Sequence, residues 1–169
     1  GEFAYFYIRL DAGMFDNDGN YWFINTGSEV KHNIHIIKPS DLAAIENGAN
    51  ASWYSMNIHS NGSRVVPITP GEMFMDMRNA NYKWIPSCRE TTGIILLDDN
   101  GTPFKSSDDK CIFRSSFVDQ NSKVLNPAAI YSMVQDRLGD IWVGTEAGLF
   151  IIPNNVDFFT SNQCSRVII

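Results

Sequence analysis

A spaced pairing of aspartate and tryptophan is the feature that most constrains how this chain can fold. The aspartates lie 60 residues apart, at Asp16, Asp76 and Asp136. A tryptophan follows each of them after six, eight and six residues, at Trp22, Trp84 and Trp142. Short segments of alternating apolar and polar residues, the period of β-strands, surround each pair. The spacing therefore predicts one β-rich unit that is used three times.

The stretch from Ile130 to Ile152 shows the unit most clearly. It alternates, turns at Leu138–Asp140, alternates again and turns at Glu146–Gly148, which predicts three short strands and two tight turns. We interpret the motif residues as determinants of the fold: aspartate begins a turn, glycine allows positive φ, and tryptophan packs between units. These residues are Asp16, Gly19, Trp22, Asp76, Trp84, Asp136, Gly139, Trp142, Gly144, Thr145 and Gly148.

Four strands in each unit of about 60 residues, without long helices between them, indicate an all-β partial propeller of about three four-stranded antiparallel blades. The expected repeats are 10–66, 67–126 and 127–169, the last of them incomplete. A β-sandwich is the rival architecture, but it does not require the same turn three times. Between the units, Asp41–Ile45 is expected to form one helical turn, with Ser40 as its N-cap.

Composition limits the classes of partner and compartment. The net charge of −6 argues against nucleic acid, because binding phosphate requires a basic face. No apolar run reaches the roughly 18 residues that a membrane helix needs. The apolar last residues, 165–169, suggest that the chain stops within a larger protein.

The three cysteines are Cys88, Cys111 and Cys164. They contain no C-x-x-C pair, so a zinc site is not indicated. Three unpaired thiols are the favoured interpretation, and a Cys88–Cys111 disulfide stays open for an exported protein.

The third unit resembles the two-component-regulator propeller repeats of extracytoplasmic Bacteroidetes proteins. Its matching residues are Asp136, Gly139, Trp142, Gly144, Thr145 and Gly148. The stretch from Thr92 to the third unit, with Asp99–Thr102 and Ser107–Lys110, is similar to PorZ-like propeller proteins, which are linked to type IX secretion. The resemblance implies a fragment of about three blades from a periplasmic or cell-surface protein. The second unit departs from the pattern, with Arg78 and Asn79 where glycine is expected.

The candidate metal-binding and catalytic residues do not match the patterns of known sites, so no catalytic residue, metal or cofactor is expected. Asp16–Asn20 resembles the start of a calcium loop but lacks the distant bidentate glutamate. The histidines, His32, His35 and His59, are not spaced as joint ligands. The carboxylate pairs Asp98–Asp99 and Asp108–Asp109 are interpreted as exposed turn residues rather than the acid pair of a glycosidase.

Aromatic side chains in the outer segments are the remaining candidates for binding. They are Tyr5, Phe6, Tyr7, Trp53 and Tyr54. They either pack blade against blade or stack on sugars or peptide segments. Any binding site is expected in the variable links between the repeats.

Three functions stay open. The first is a non-enzymatic interaction or scaffold module of an exported cell-envelope protein that binds a protein or glycan. The second is a periplasmic ligand-sensing segment of a hybrid two-component receptor. The third is a fragment of a propeller lyase or glycosidase. In each case, open terminal blade faces predict self-association, with two arcs closing a six-bladed ring.

Overall fold

The structure is a computed structural model that describes residues 10–26, 33–65, 69–89 and 91–167. Its main elements are three four-stranded antiparallel sheets, here called the first, second and third blades. Each blade is a meander in which strands adjacent in sequence are also adjacent in the sheet. The predicted partial β-propeller of antiparallel four-stranded blades is therefore confirmed.

The strands are as follows. The first blade contains β1 (Leu10–Phe15), β2 (Tyr21–Asn25), β3 (Ile34–Ile37) and β4 (Tyr54–Met56). A hairpin of β5 (Ile58–Ser60) and β6 (Ser63–Val65) follows it. The second blade contains β7 (Phe74–Met75), β8 (Tyr82–Ser87), β9 (Gly93–Asp98) and β10 (Lys110–Arg114). After a second hairpin, β11 (Phe117–Val118) and β12 (Val124–Leu125), the third blade contains β13 (Ile130–Gln135), β14 (Ile141–Thr145), β15 (Gly148–Ile152) and β16 (Ser165–Arg166).

Two apolar cores hold the blades together. The first core lies between the first and second blades and includes Trp22, Ile36, Ile85 and Leu97. The second core lies between the second and third blades and includes Trp84, Leu96, Ile141, Val143 and Phe150. The two middle strands of the second blade, β8 and β9, are buried on both faces, which explains the nearly continuous apolar run Ile94–Leu97 in β9.

One helix, α1 (Pro39–Glu46), lies in the link between β3 and β4. The predicted turn at Asp41–Ile45 lies inside it, but the predicted cap at Ser40 is wrong. Lys38 occupies the N-cap position, and the helix begins at Pro39, whose fixed φ suits the first helical turn.

Candidate functional site

The motif aspartate of the first blade ties its turn together. One carboxylate oxygen of Asp16, Oδ1, accepts the backbone N–H groups of Asp18 at 3.0 Å and Asn20 at 2.8 Å. The other oxygen, Oδ2, accepts the indole N–H of Trp22 at 2.8 Å. The turn and the tryptophan rotamer are therefore set by one side chain.

The other two blades repeat this arrangement. The indole N–H of Trp84 donates to Asp76 Oδ2 at 2.9 Å, and that of Trp142 donates to Asp136 Oδ2 at 2.8 Å. The indole hydrogen bond from Trp142 lowers the pKa of Asp136 below its usual value. Burial raises the pKa of Asp16, but the hydrogen bonds from Trp22 and Asn20 outweigh it and lower that pKa overall.

Sequence reasoning missed a fourth turn of this type, in the β11–β12 hairpin. Asp119 Oδ1 accepts the backbone N–H groups of Asn121 and Lys123, both at 2.9 Å. Ser122 occupies the position of the motif glycine with a φ of 61°. No tryptophan follows, since Leu125 stands six residues after Asp119, so the signal that identified the other turns is missing.

The Gly-Thr-x-x-Gly segment of the third blade closes the β14–β15 turn. Thr145 Oγ1 donates to the carbonyl oxygen of Gly148 at 2.7 Å and accepts the N–H of Ala147 at 3.2 Å. Gly148 has a φ of 111°, a conformation that disfavours other residues. At Gly144, an added Cβ would lie 2.8 Å from Ser132 Oγ, so glycine permits close contact with β13.

The predicted metal and histidine candidates do not converge. Both carboxylate oxygens of Asp16 accept hydrogen bonds from protein groups. His35 is buried and stacked on Phe23, with ring centres 4.9 Å apart, whereas His59 is exposed on β5 and His32 lies outside the described residues. Within the described ranges, no three His, Cys, Asp or Glu side chains are grouped to hold a metal ion.

Both acidic turns differ from the prediction of exposed aspartates, because Asp98, Asp108 and Asp109 are partly buried. Asp99 is buried and forms a salt bridge with the buried Lys83. The Lys83 ammonium group also donates to the carbonyl oxygens of Ala80 at 2.9 Å and Asn81 at 3.2 Å. Burial, followed by the negative charge of Asp99, raises the pKa of Asp109 to about 7. The Lys83–Asp99 pair belongs to the contact between the first two blades, because the Lys83 ammonium group also lies over the ring of Trp22.

The departure at Arg78 has a structural role that the sequence pattern did not indicate. The Arg78 guanidinium crosses to the third blade and donates to the carbonyl oxygen of Asn154 at 2.6 Å. Beside it, the N–H of Met77 donates to Gln135 Oε1 at 2.7 Å. The second turn therefore bridges two blades, along a groove of about 460 Å³.

A small pocket at the connection between β3 and β4 of the first blade, with Phe104 of the second blade at its edge, is the candidate binding site. We call it the link pocket. Its volume is about 270 Å³, and it is lined by Ile36, Lys38, Asp41, Ser52, Trp53, Tyr54 and Phe104. Trp53 is 55% exposed, the most open of the predicted aromatic residues that the structure describes, whereas Tyr54 is partly buried. Tyr5, Phe6 and Tyr7 lie outside the described residues.

The groups around Trp53 are held in place by neighbours. The Tyr54 hydroxyl donates to Ser106 Oγ at 3.0 Å and accepts the Ser106 N–H at 2.9 Å. Phe104 packs edge-on against Tyr54, and the Lys38 ammonium group lies 4.7 Å from the centre of its ring. The pocket thus combines an open indole face with ordered polar and charged groups, which suits a ligand that has both apolar and hydrogen-bonding surfaces.

A second polar anchor stands on the helix side of the link pocket. Asp41 Oδ1 accepts the backbone N–H of Ser52 at 3.1 Å and the Ser52 hydroxyl at 3.2 Å. These bonds join α1 to the segment that carries Trp53. The position of the Trp53 indole is therefore coupled to the helix. Neither Asp41 nor Ser52 belongs to the repeated motif.

The cysteines are all free thiols in the structure. Burial raises the pKa of Cys111 to about 12 and that of Cys164 to about 11, and it also raises that of Cys88. Since the thiolate is the nucleophile, these environments do not favour reactive cysteines.

Comparison with known proteins places this geometry among propellers. The family "Two component regulator propeller" matches residues 124–147. A solved structure of PorZ from Porphyromonas gingivalis is similar, with a TM-score of 0.71 and 24% sequence identity. PorZ is described as an essential bacterial surface component of the type IX secretion system of that human oral bacterium. The similarity covers 94% of this chain and 20% of the PorZ chain.

The comparison with curated proteins gave no match. In the part of the chain that the structure describes, no helix is long and apolar enough to cross a membrane. The resemblance inferred from Asp136, Gly139 and Trp142 coincides with the residues that the family matches. This chain is thus a partial β-propeller, similar in fold to PorZ, that carries a two-component regulator propeller repeat at residues 124–147.

Proposed function

We propose that this chain is a non-enzymatic interaction module of an exported cell-envelope protein and that it serves type IX secretion. The observation that supports this proposal is the difference between the motif carboxylates and the polar groups of the link pocket. The repeated carboxylates hold turns and indoles, whereas the open indole of Trp53 stands among ordered polar groups in the link pocket. The likeness in fold to a surface component of that secretion system supports the proposed location and pathway.

The proposed ligand of the link pocket is a protein segment or a glycan. Both present apolar surface for the indole of Trp53 and hydrogen-bonding groups for Asp41 and Lys38. Aromatic residues with a polar neighbourhood often carry much of the energy of such contacts. We also propose that the module self-associates through its apolar blade faces.

A secretion assay in the source bacterium tests the role. Deleting the encoding gene is expected to reduce type IX cargo at the cell surface, and restoring the gene is expected to recover it. Trp53→Ala should lower export while the amount of the protein stays constant, whereas Leu138→Ala, another exposed apolar residue outside the pocket, should not. Normal export in the deletion strain would contradict the proposed role.

Each of the two alternative functions predicts a different experimental result. A ligand-sensing segment would belong to an open reading frame that continues into a transmembrane helix and a kinase, and its deletion would change transcription rather than export. A lyase or glycosidase would turn over at least one substrate in a polysaccharide panel. Such turnover, abolished by a substitution in this chain, would overturn the non-enzymatic proposal.

A further inference from the structure

A second pocket lies where the β11–β12 hairpin meets the third blade. We call it the hairpin pocket. One wall is formed by residues 123–127, at the end of the hairpin and just after it, and the other by residues 145 and 147–150 together with Arg166. Its volume is about 210 Å³, and none of its residues lines the link pocket. The hairpin pocket is therefore a separate candidate for binding.

The floor of the hairpin pocket is apolar. Phe150 is 2% exposed and belongs to the core between the second and third blades, and Leu125 packs against that core. Leu149 is partly buried, whereas Val124 is 54% exposed. The volume of the pocket is below the roughly 300–1,000 Å³ that is typical of sites for drug-sized ligands. The pocket therefore suits one apolar side chain rather than a large ligand.

Two cationic side chains border this floor. Lys123 is exposed, and Arg166 is partly buried. The guanidinium of Arg166 donates a long hydrogen bond to the carbonyl oxygen of Ala147, at 3.4 Å. In the part of the chain that the structure describes, neither cation forms a salt bridge. Both cations therefore keep N–H groups for an anionic ligand, and an arginine can donate two parallel hydrogen bonds to one carboxylate.

Among the described residues, no carboxylate lines the hairpin pocket. Glu146 stands between two lining residues, but its carboxylate accepts the backbone N–H groups of Ala128 at 2.7 Å and Ala129 at 2.8 Å, one on each oxygen. The local excess of positive charge contrasts with the net charge of −6 of the whole chain. The pocket is thus electrostatically complementary to an anion.

We propose that the hairpin pocket binds the C-terminal residue of a peptide chain, with an apolar last side chain on the floor and the terminal carboxylate held by Lys123 and Arg166. In a C-terminal residue, the side chain and the carboxylate are attached to the same carbon atom, so one residue supplies both groups. An aspartate or glutamate side chain supplies the charge without the apolar group. The site lies outside the link pocket, so it is independent of the function proposed above.

Other anions suit the hairpin pocket less well. The ammonium group of a free amino acid would be repelled by the two cations. The chain of a fatty acid is longer than the single side chain that the volume allows. A sugar acid carries hydroxyl groups, and an apolar floor would leave them without partners, which costs free energy. Capture of a C-terminal carboxylate is a known mode of peptide recognition, and it satisfies both the floor and the cations.

A titration of the isotope-labelled whole chain, followed by NMR spectra of its backbone amide groups, tests the proposal. The probe acetyl-Ala-Ala-Leu, with a free carboxylate, is expected to shift the signals of Leu125, Gly148 and Leu149 and to saturate with a Kd of about 1 mM or lower. Its C-terminal amide should bind at least about tenfold more weakly, because the charge-assisted hydrogen bonds are lost. Acetyl-Ala-Ala-Gly should also bind more weakly, because it lacks the apolar side chain.

Substitutions locate the carboxylate. Lys123→Met and Arg166→Met each remove a cation while keeping an apolar side chain of similar length, and each should weaken binding of the free-acid probe about tenfold. The matched controls are Lys110→Met and Arg137→Met, which replace exposed cations outside the pocket and should leave binding unchanged. The amide spectra also show whether each variant is folded. The comparison of the acid and amide probes on the wild type requires no substitution.

Four results would overturn the proposal. The first is the absence of a saturable shift at up to about 10 mM of the free-acid probe. The second is equal affinity for the acid and its amide, and the third is unchanged binding in both methionine variants. The fourth is tighter binding of glucuronate than of the peptide at the same signals, which would assign the pocket to an acidic sugar. The secretion role is read from cargo export, so these results leave it untouched.

Discussion

The ammonium group of Lys83 in the second blade lies 4.8 Å from the centre of the Trp22 ring in the first blade. Lys83 also forms a salt bridge with Asp99, and both side chains are buried. Removing two charges from water is costly, so such a pair is tolerated only when its hydrogen-bonding groups are satisfied. The carbonyl oxygens of Ala80 and Asn81 meet that need. The contact joins strand β8 of one blade to the motif tryptophan of its neighbour.

Replacing Lys83 by alanine is expected to lower the free energy of unfolding by about 3–5 kcal/mol, because Asp99 would be left buried and unpaired. Urea unfolding at pH 7, followed by tryptophan fluorescence, measures the change. The control is Lys83→Met combined with Asp99→Leu, which removes both charges while keeping apolar volume. This double variant should regain most of the lost stability. A Lys83→Ala protein as stable as the wild type would contradict the expected cost of leaving Asp99 buried without its partner.

Asp109 predicts a measurable pH dependence of stability. Its pKa in the folded protein is raised to about 7 by burial and by the charge of Asp99, whereas an unfolded aspartate has a pKa of about 3.9. Between these pH values the folded state keeps a proton that the unfolded state has lost. The free energy of unfolding therefore falls as the pH rises through this window and changes no further from this group above it.

The Asp109→Asn variant isolates this effect, because it cannot ionise. We expect it to gain stability relative to the wild type as the pH rises from 4 to 8 and to show little difference near pH 3. Urea titrations of both proteins across this range provide the comparison, and the contributions of Asp16 and Asp136 cancel in the difference. A constant difference between pH 4 and pH 8 would show that Asp109 does not titrate in that window.

The motif aspartates predict unequal costs of substitution. Asp76→Ala leaves the indole N–H of the buried Trp84 without its acceptor, whereas Asp136→Ala affects Trp142, which is partly exposed and can bond to water. An unsatisfied buried donor costs about 1–3 kcal/mol, so Asp76→Ala should be the more destabilising change by roughly that amount. Chemical unfolding of both variants tests the order. Equal losses would mean that the turn hydrogen bonds, rather than the indole bond, dominate.

The repeat and the fold class could be predicted because their signals are local. An aspartate, a turn and a tryptophan within six or eight residues are enough to indicate each blade, and strand alternation supplies the rest. The fourth turn, at Asp119, is not predicted by the pattern because Ser122 replaces glycine and the tryptophan is absent. The start of α1 differs from the prediction because Ser40 and Pro39 both suit the first turn of a helix.

Features that depend on neighbouring blades could not be predicted in this way. Asp99 has the sequence context of an exposed turn residue, and only the pairing of β8 with β9 brings Lys83 to it. Trp142 has the same local motif as Trp22, yet its exposure differs because no described blade covers it. The link pocket likewise joins Trp53 to Phe104, which are 51 residues apart in the sequence.

Gly139 allows a test of how the second and third blades contact each other. Its φ is 91°, and an added Cβ would lie 2.3 Å from Cδ of Arg78, whose guanidinium crosses from the second blade. Gly139→Ala should therefore suffer both backbone strain and a clash, and lose about 2–4 kcal/mol of stability, given about 1–3 kcal/mol for strain alone. Gly148→Ala is the matched control: its φ is 111°, but an added Cβ meets open space, so it should lose only the strain energy.

A double-mutant cycle separates the two contributions at Gly139. Arg78→Ala removes the side chain that the new methyl group would meet, together with its hydrogen bond to Asn154. In the Arg78→Ala background, Gly139→Ala should cost no more than Gly148→Ala, which gives a coupling energy of about 0.5–3 kcal/mol between the two positions. Urea unfolding of the four proteins in the cycle measures it. Additive losses would show that Arg78 moves aside without cost when the methyl group is added.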